Sequence, residues 1–146
     1  MDIAIVGATG NVGRKTLEVL QQKNLNIDNL YLVASPNSAG KQLEFNGKKY
    51  SIENLETYNF SKAKITFFAA GGKISEQYAE KAAKHTTVID NSSYFRMDPD
   101  VPLIVPQVNA KDIQNMKKNI IANPNCSTAQ LVLSLIHISE PTRLRS

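Results

Sequence analysis

The chain is poor in the side chains that build metal centres and disulfides. It has one cysteine and two histidines in 146 residues. A single cysteine permits no internal disulfide, which fits a reducing, cytoplasmic location. No Cys/His/Asp cluster has metal-ligand spacing, so no metal is expected. His85 stands at a predicted helix end and reads as a capping or surface residue rather than a catalytic one. No apolar run approaches the roughly 20 residues of a membrane span. The N-terminus, Met1-Asp2-Ile3-Ala4-Ile5-Val6, lacks a basic region and does not read as a signal peptide. The net charge of +4 is modest, and no basic stripe with interleaved aromatics appears. That argues against nucleic acid as a partner, while slight positive charge suits phosphates and dinucleotides. There are no repeats or low-complexity tracts before residue 130. With 42% hydrophobic and 21% charged residues, the composition is that of a globular domain with one core.

What is present begins with a short buried strand of the parallel-sheet kind, Asp2-Ile3-Ala4-Ile5-Val6, running into Gly7-Ala8-Thr9-Gly10-Asn11-Val12-Gly13. A helical pattern follows, with Val12, Thr16, Leu17, Val19 and Leu20 able to line one side. Strand, glycine-rich turn and helix form the first half of a dinucleotide-binding unit. Gly7 permits the tight turn, Gly10 lets backbone N–H groups approach a pyrophosphate, and Gly13 lets the helix pack close to the strand. The phosphates then sit at the helix N-terminus. The alternative is a glycine-rich turn with no ligand.

Leu30-Tyr31-Leu32-Val33-Ala34 is the second strand. NAD-specific units carry an acid near this point to bind the ribose 2′-hydroxyl. Here Ser35-Pro36-Asn37-Ser38-Ala39-Gly40-Lys41 has none. Hydroxyls, an amide and Lys41 would not repel a 2′-phosphate, which favours NADP; the alternative is a solvated loop. Leu43–Phe45 and Lys48–Ile52 around Asn46-Gly47 predict a hairpin decorating the sheet edge. A strand over Ala63–Ala70 ends in a second glycine pair, Gly71-Gly72, which brings backbone close to whatever fills the crevice. A helix over Ile74–Lys84, opened near Ser75, follows. The strand Thr87–Asp90 then delivers Asn91-Ser92-Ser93-Tyr94-Phe95-Arg96 at its carboxyl end. Arg96 suits bidentate capture of a phosphate or carboxylate; the alternative is a surface ion pair with Asp98 or Asp100. Asn109 is expected to cap a brief helix through Met116, before a last strand, Asn119–Ala122.

That strand leads into Asn123-Pro124-Asn125-Cys126-Ser127-Thr128, with a helix-like run after it. A thiol on a strand-to-helix turn is stabilised as thiolate by the helix N-terminus, and a thiolate is a strong nucleophile. The alternative is a small buried hydrophobe.

These blocks, in this order, together with Asp98-Pro99-Asp100-Val101-Pro102-Leu103, resemble the N-terminal part of bacterial aspartate-semialdehyde dehydrogenases over residues 1 to about 132. The resemblance implies an α/β, Rossmann-like dinucleotide-binding domain with a mostly parallel sheet, lacking the family's C-terminal dimerisation domain. It implies NADP-dependent reductive dephosphorylation of L-4-aspartyl phosphate to the 4-semialdehyde, on the route to diaminopimelate, lysine, threonine and methionine. Cys126 would be the nucleophile, Asn125 would position the thioester oxygen, and Arg96 would hold the phosphate. Thr9 to Val12 would bind the cofactor pyrophosphate, and Asn37-Ser38 the 2′-phosphate region, where the family often carries Arg in place of Asn37. The family's general base and substrate-carboxylate Arg follow the Cys helix, so these 146 residues are expected to be inactive alone. The full-length parent would be a homodimer or homotetramer. Readings kept beside this one are a stand-alone NADP-binding or redox-sensing domain and an acetylglutamyl-phosphate reductase, against which Ser127-Thr128 speaks. From about Leu133 the chain reads like a translated sequencing-library adapter, so residues 133–146 are expected to be a non-native tail. The alternative is a genuine amphipathic helix end, stopped by Pro141.

Overall fold

The computed structural model describes residues 1–124. The expectations for Asn125, Cys126 and the tail lie outside the described residues. Among the described residues seven strands form one sheet: β1 (Asp2–Val6), β2 (Asn29–Ala34), β3 (Gln42–Phe45), β4 (Lys48–Asn54), β5 (Ile65–Phe68), β6 (Thr87–Asp90) and β7 (Ile120–Ala122). Their order is β3-β4-β2-β1-β5-β6-β7, and only the β3–β4 pairing is antiparallel. β1 lies central, with Ile3 beside both Leu30 and Ile65.

Ile3 through Val6 are all buried, which explains why this strand shows no polar alternation. Its pleat divides the core between two layers. Ile3 and Ile5 pack with Leu17 and Leu20 of helix α1 (Asn11–Gln22), and with Ile113. Ala4 and Val6 face the opposite way, among Ala79, Ala82 and Ala83 of helix α2 (Gly72–Ala83), and beside Tyr58 and Phe60. Small alanines on α2 let that helix lie close to the sheet, while larger aliphatics fill the α1 side.

Three expectations are corrected and a fourth is refined. The hairpin is not merely a decoration. Lys48 to Ser51 pair with β3, but Ile52 to Asn54 turn inward to pair parallel with β2, so β4 belongs to the main sheet. The Asn46-Gly47 turn has positive φ at both residues (52° and 77°), as a tight two-residue hairpin requires. Val12 does not line the buried side of α1; it is 47% exposed at the first turn, and Gly13 takes the inward position. Helix α2 starts at Gly72, and Ser75 is no cap but a buried residue whose hydroxyl donates 2.6 Å to Asp90. Finally, the helical segment before β7 opens at Pro106, as a short α-turn α3 (Pro106–Asn109) continued by a 3-10 helix to Asn115. Asn109 stands at the N-cap of that 3-10 helix and Met116 at its C-cap, as expected, but the Asn109 side chain bonds no helix N–H and reaches backwards instead. Its side chain accepts from Val105 N–H at 2.7 Å and donates to the Leu103 carbonyl at 2.8 Å.

Candidate functional site

The carboxyl ends of β1, β2, β5, β6 and β7 point to one edge of the sheet, where a parallel α/β fold binds ligands. The first component is the turn between β1 and α1. Gly7 has φ +86°. Its N–H and that of Ala8 both donate to the Val33 carbonyl, at 2.8 and 3.2 Å, anchoring the turn to β2. A Cβ on Gly7 would lie 2.6 Å from the Ala69 carbonyl oxygen, and one on Gly13 would lie 2.0 Å from the Gly7 oxygen. Protein sterics therefore demand glycine at both positions. Gly10 differs. A Cβ there would meet only the Gly7 oxygen, at 3.5 Å, an ordinary contact. Nothing among the described residues requires glycine at 10, whereas an anion lying on the helix end would. Gly10 is the N-cap of α1, supplies no side-chain cap, and no acid stands in the first turn. The N–H groups of Asn11, Val12 and Gly13 thus have no intrahelical acceptor, and the helix dipole adds to their field. The residues present fit a pyrophosphate. Thr9 turns its carbonyl to Arg14 Nε, 3.0 Å.

The second component follows β2. Pro36–Ser38 forms a single 3-10 turn, and Gly40 N–H to the Ile52 carbonyl (2.9 Å) with Ile52 N–H to the Lys41 carbonyl (2.8 Å) straps the loop to β4. Asn37 and Lys41 are exposed and Ser38 is half-buried. No ion pair among the described residues uses Lys41. The third component follows β5. Gly71 has φ +88°, and a Cβ there would meet nothing, so conformation alone calls for glycine.

The fourth component joins the ends of β6 and β7 by polar contacts. Asp90 is fully buried. Its carboxylate accepts from Ser75 Oγ (2.6 Å), Ser92 N–H (3.0 Å) and Ser92 Oγ (2.7 Å), so the acid is a bracket between α2 and the loop after β6. Arg96 donates Nε to the Asn123 carbonyl (3.1 Å) and Nη2 to the Asn91 carbonyl (3.4 Å). It makes no ion pair with Asp98 or Asp100; those acids take Lys118 at 2.9 Å and Lys117 at 3.4 Å. The surface-ion-pair alternative for Arg96 is thereby ruled out. Lys118 also reaches Glu80 at 3.2 Å. The hydrogen bond from Lys118, aided by the Asp100 N–H, holds Asp98 below the usual carboxylate range. Asn123 is fully buried, and its Nδ2 donates to Asn91 Oδ1, while its Oδ1 has no partner. Leaving a buried acceptor unsatisfied costs about 1–3 kcal/mol.

The Ser75–Asp90 and Asn91–Asn123 links escape a reading of the sequence because the partners lie 15 and 32 residues apart. The one local sign was an acid closing an apolar strand ahead of Asn-Ser-Ser. No helix among the described residues is long and apolar enough to cross a membrane. Among those residues no group of three His, Cys, Asp or Glu could hold a metal ion.

A parallel sheet with helices on both faces and an uncapped glycine turn at the end of its central strand defines a Rossmann-type dinucleotide-binding domain. Residues 2–116 match the model of the semialdehyde dehydrogenase, NAD binding domain. The chain belongs to that family. It is 54% identical to the aspartate-semialdehyde dehydrogenase of Aquifex aeolicus over 136 residues, 91% of this chain and 40% of that protein. It is 48% identical to aspartate-semialdehyde dehydrogenase 2 of Vibrio cholerae, covering 92% of this chain and 40% of that protein. The crystal structure of the Vibrio cholerae enzyme II complexed with ASA superposes with TM-score 0.81 at 46% identity, over 94% of this chain and 46% of that one. The Candida albicans enzyme with NADP gives TM-score 0.69 at 27% identity, over 94% of this chain and 46% of that one. The chain spans about 40% of the length of the curated relatives it matches, their N-terminal part.

Proposed function

We propose that this chain is the cofactor half of an NADP-dependent aspartate-semialdehyde dehydrogenase. The observation that carries the reading is the placement of Arg96. It is bonded to the ends of β6 and β7 rather than to an acid, so a guanidinium is held at Asn123, three residues before Cys126 in the sequence. In the full-length protein Cys126 attacks the acyl carbon of 4-aspartyl phosphate, forming a thioester as phosphate leaves. Arg96 neutralises the departing phosphate, and Asn125 positions the thioester oxygen. The dinucleotide, when bound, supplies the hydride that takes the acyl group to the aldehyde level. Thr9 to Val12 with Gly7, Gly10 and Gly13 hold its pyrophosphate. Asn37, Ser38 and Lys41 would hold the 2′-phosphate, and Gly71 would let backbone approach the dinucleotide from β5. The alternative of a stand-alone NADP-binding or redox-sensing domain shares this cofactor site.

Calorimetric titration of the purified 146-residue chain tests the reading. NADPH should bind, and more tightly than NADH, because the loop after β2 lacks an acid. Gly10→Ala should weaken NADPH binding at least about tenfold, since a methyl group replaces the space for the phosphates. Its unfolding free energy should fall by no more than about 1 kcal/mol, the usual cost of Ala in place of a good N-cap residue. Unaltered NADPH affinity in Gly10→Ala would remove the turn from the site. The chain alone should not reduce NADP⁺ with the semialdehyde and phosphate; turnover would show that these residues suffice.

A further inference from the structure

The Asn91–Arg96–Asn123 cluster contains a residue to which nothing above gives a role. Asn123 is fully buried, yet only one of its two side-chain polar atoms is satisfied. A half-satisfied buried amide is worse for stability than an apolar side chain of the same shape. Its presence is therefore not explained by the stability of the fold.

Its contacts supply an explanation. Asn123 N–H donates to the Asp90 carbonyl at 2.9 Å, extending the β6–β7 ladder by one rung. Its carbonyl receives Arg96 Nε. Its side-chain Nδ2 donates to Asn91 Oδ1. The Asn91 carbonyl in turn receives Arg96 Nη2, and Asn91 N–H donates to the Phe68 carbonyl at 2.9 Å. Nε and Nη2 form one edge of the guanidinium fork. Both carbonyls that hold this edge belong to residues joined to each other through the Asn123 side chain. The Nη1 edge is left for an oxyanion.

We infer that Asn123 is a positioning residue for anion capture: through the Asn91 side chain it fixes the two carbonyls that orient Arg96 toward a phosphate. The inference rests on the reading of Arg96 as the phosphate-binding group. Asn123 itself touches no substrate; its effect is to hold the guanidinium in one of the orientations it could adopt.

The test is calorimetric titration of the 146-residue chain with inorganic phosphate at constant ionic strength, alongside urea unfolding of each variant. Arg96→Ala should abolish phosphate binding. Asn123→Leu, similar in shape and free of the unsatisfied acceptor, should weaken phosphate binding about tenfold while the unfolding midpoint stays level or rises. Asn91→Ala should weaken it to a similar degree, and the double variant should be no worse than either single one, because both remove the same link. Unchanged phosphate affinity in Asn123→Leu, with Arg96→Ala inactive in binding, overturns the positioning role and leaves the reading of Arg96 intact. An unchanged affinity in Arg96→Ala, or no phosphate binding by the parent chain, overturns both. Loss of binding that tracks a lowered midpoint in both Asn123→Leu and Asn91→Ala shows a purely structural residue and also overturns the inference.

Discussion

The two ends of the ligand edge are built by different forces. At β1 the turn is shaped by exclusion: Gly7 and Gly13 leave no room for a Cβ, and the backbone closes within 3 Å of where one would be. At β6 and β7 the site is shaped by attraction, through Asp90, Asn91, Arg96 and Asn123, whose hydrogen bonds join segments up to 32 residues apart. Steric exclusion is all-or-none, because a backbone carbonyl cannot move aside without moving its strand. A hydrogen-bond network is graded, because each bond contributes about 0.5–1.5 kcal/mol net and its loss depends on what is left unpaired. Substitutions at the first end should therefore fail abruptly and those at the second in steps.

The sharpest case is Gly13→Ala. The added methyl would lie 2.0 Å from the Gly7 oxygen and 2.8 Å from Ala8 Cα, both backbone atoms. Helix α1 must lift from β1, disturbing the packing of Leu17 and Leu20 on Ile3 and Ile5. We expect a loss of about 4 kcal/mol or more, at the upper end for overpacking because no side chain can yield. For a domain with the usual 5–15 kcal/mol of stability, that is a large fraction. Urea unfolding measures it; a loss under 1 kcal/mol would mean that the turn is pliable and the contrast unfounded.

At the other end, Asp90→Ala is the matching test. It leaves the hydroxyls of Ser75 and Ser92 and the Ser92 N–H buried without their acceptor. The expected loss is about 2–3 kcal/mol, less than a charged bracket with three donors suggests, because burying the carboxylate itself carries a penalty. Asp90→Asn should recover part of it, since the amide oxygen still accepts. Equal losses in the two variants would show that the charge, rather than the geometry of the acceptors, holds the bracket.

The same contrast explains what was legible in the sequence. Exclusion leaves a local trace: glycines at fixed spacing after an apolar strand, and Asn-Gly between alternating runs, can be recognised within a dozen residues. The β1 turn and the positive φ values at Asn46 and Gly47 follow from such traces. Attraction between distant segments leaves none. Arg96 stands out in the sequence as a cation suited to an oxyanion, with Asp98 or Asp100 as alternative partners, but no local pattern shows that the carbonyls of Asn91 and Asn123 hold it. The inward turn of β4 was missed for the same reason: its pairing with β2 depends on the register of Ile52 against Leu32 across the loop, not on the hairpin sequence.

The mildest effect belongs to the strap that holds the loop after Arg96. Asp98 accepts from Lys118 and from the Asp100 N–H, and both contacts lower its affinity for protons. The sign follows from linkage. In the unfolded chain an Asp titrates near the ordinary value of about 3.9. With the folded value below that, the unfolded state binds protons first on acidification, so the contribution of Asp98 to stability is full above the unfolded value. It fades as pH falls through the folded one. The pair is half-buried at the protein surface, so the contribution at neutral pH is modest and should shrink further in salt. Asp98→Asn keeps an acceptor for the Asp100 N–H while removing the charge. Its unfolding midpoint should lie slightly below the parent's at neutral pH and low salt, and the two curves should converge as pH falls below the ordinary carboxylate range. Because Lys118 also holds Glu80, and Glu80 lies on α2, the gap at pH 7 should be smaller than in Lys118→Ala, which cuts both ties. A gap that widens toward acid would reverse the sign and place the lowered proton affinity elsewhere than in this strap.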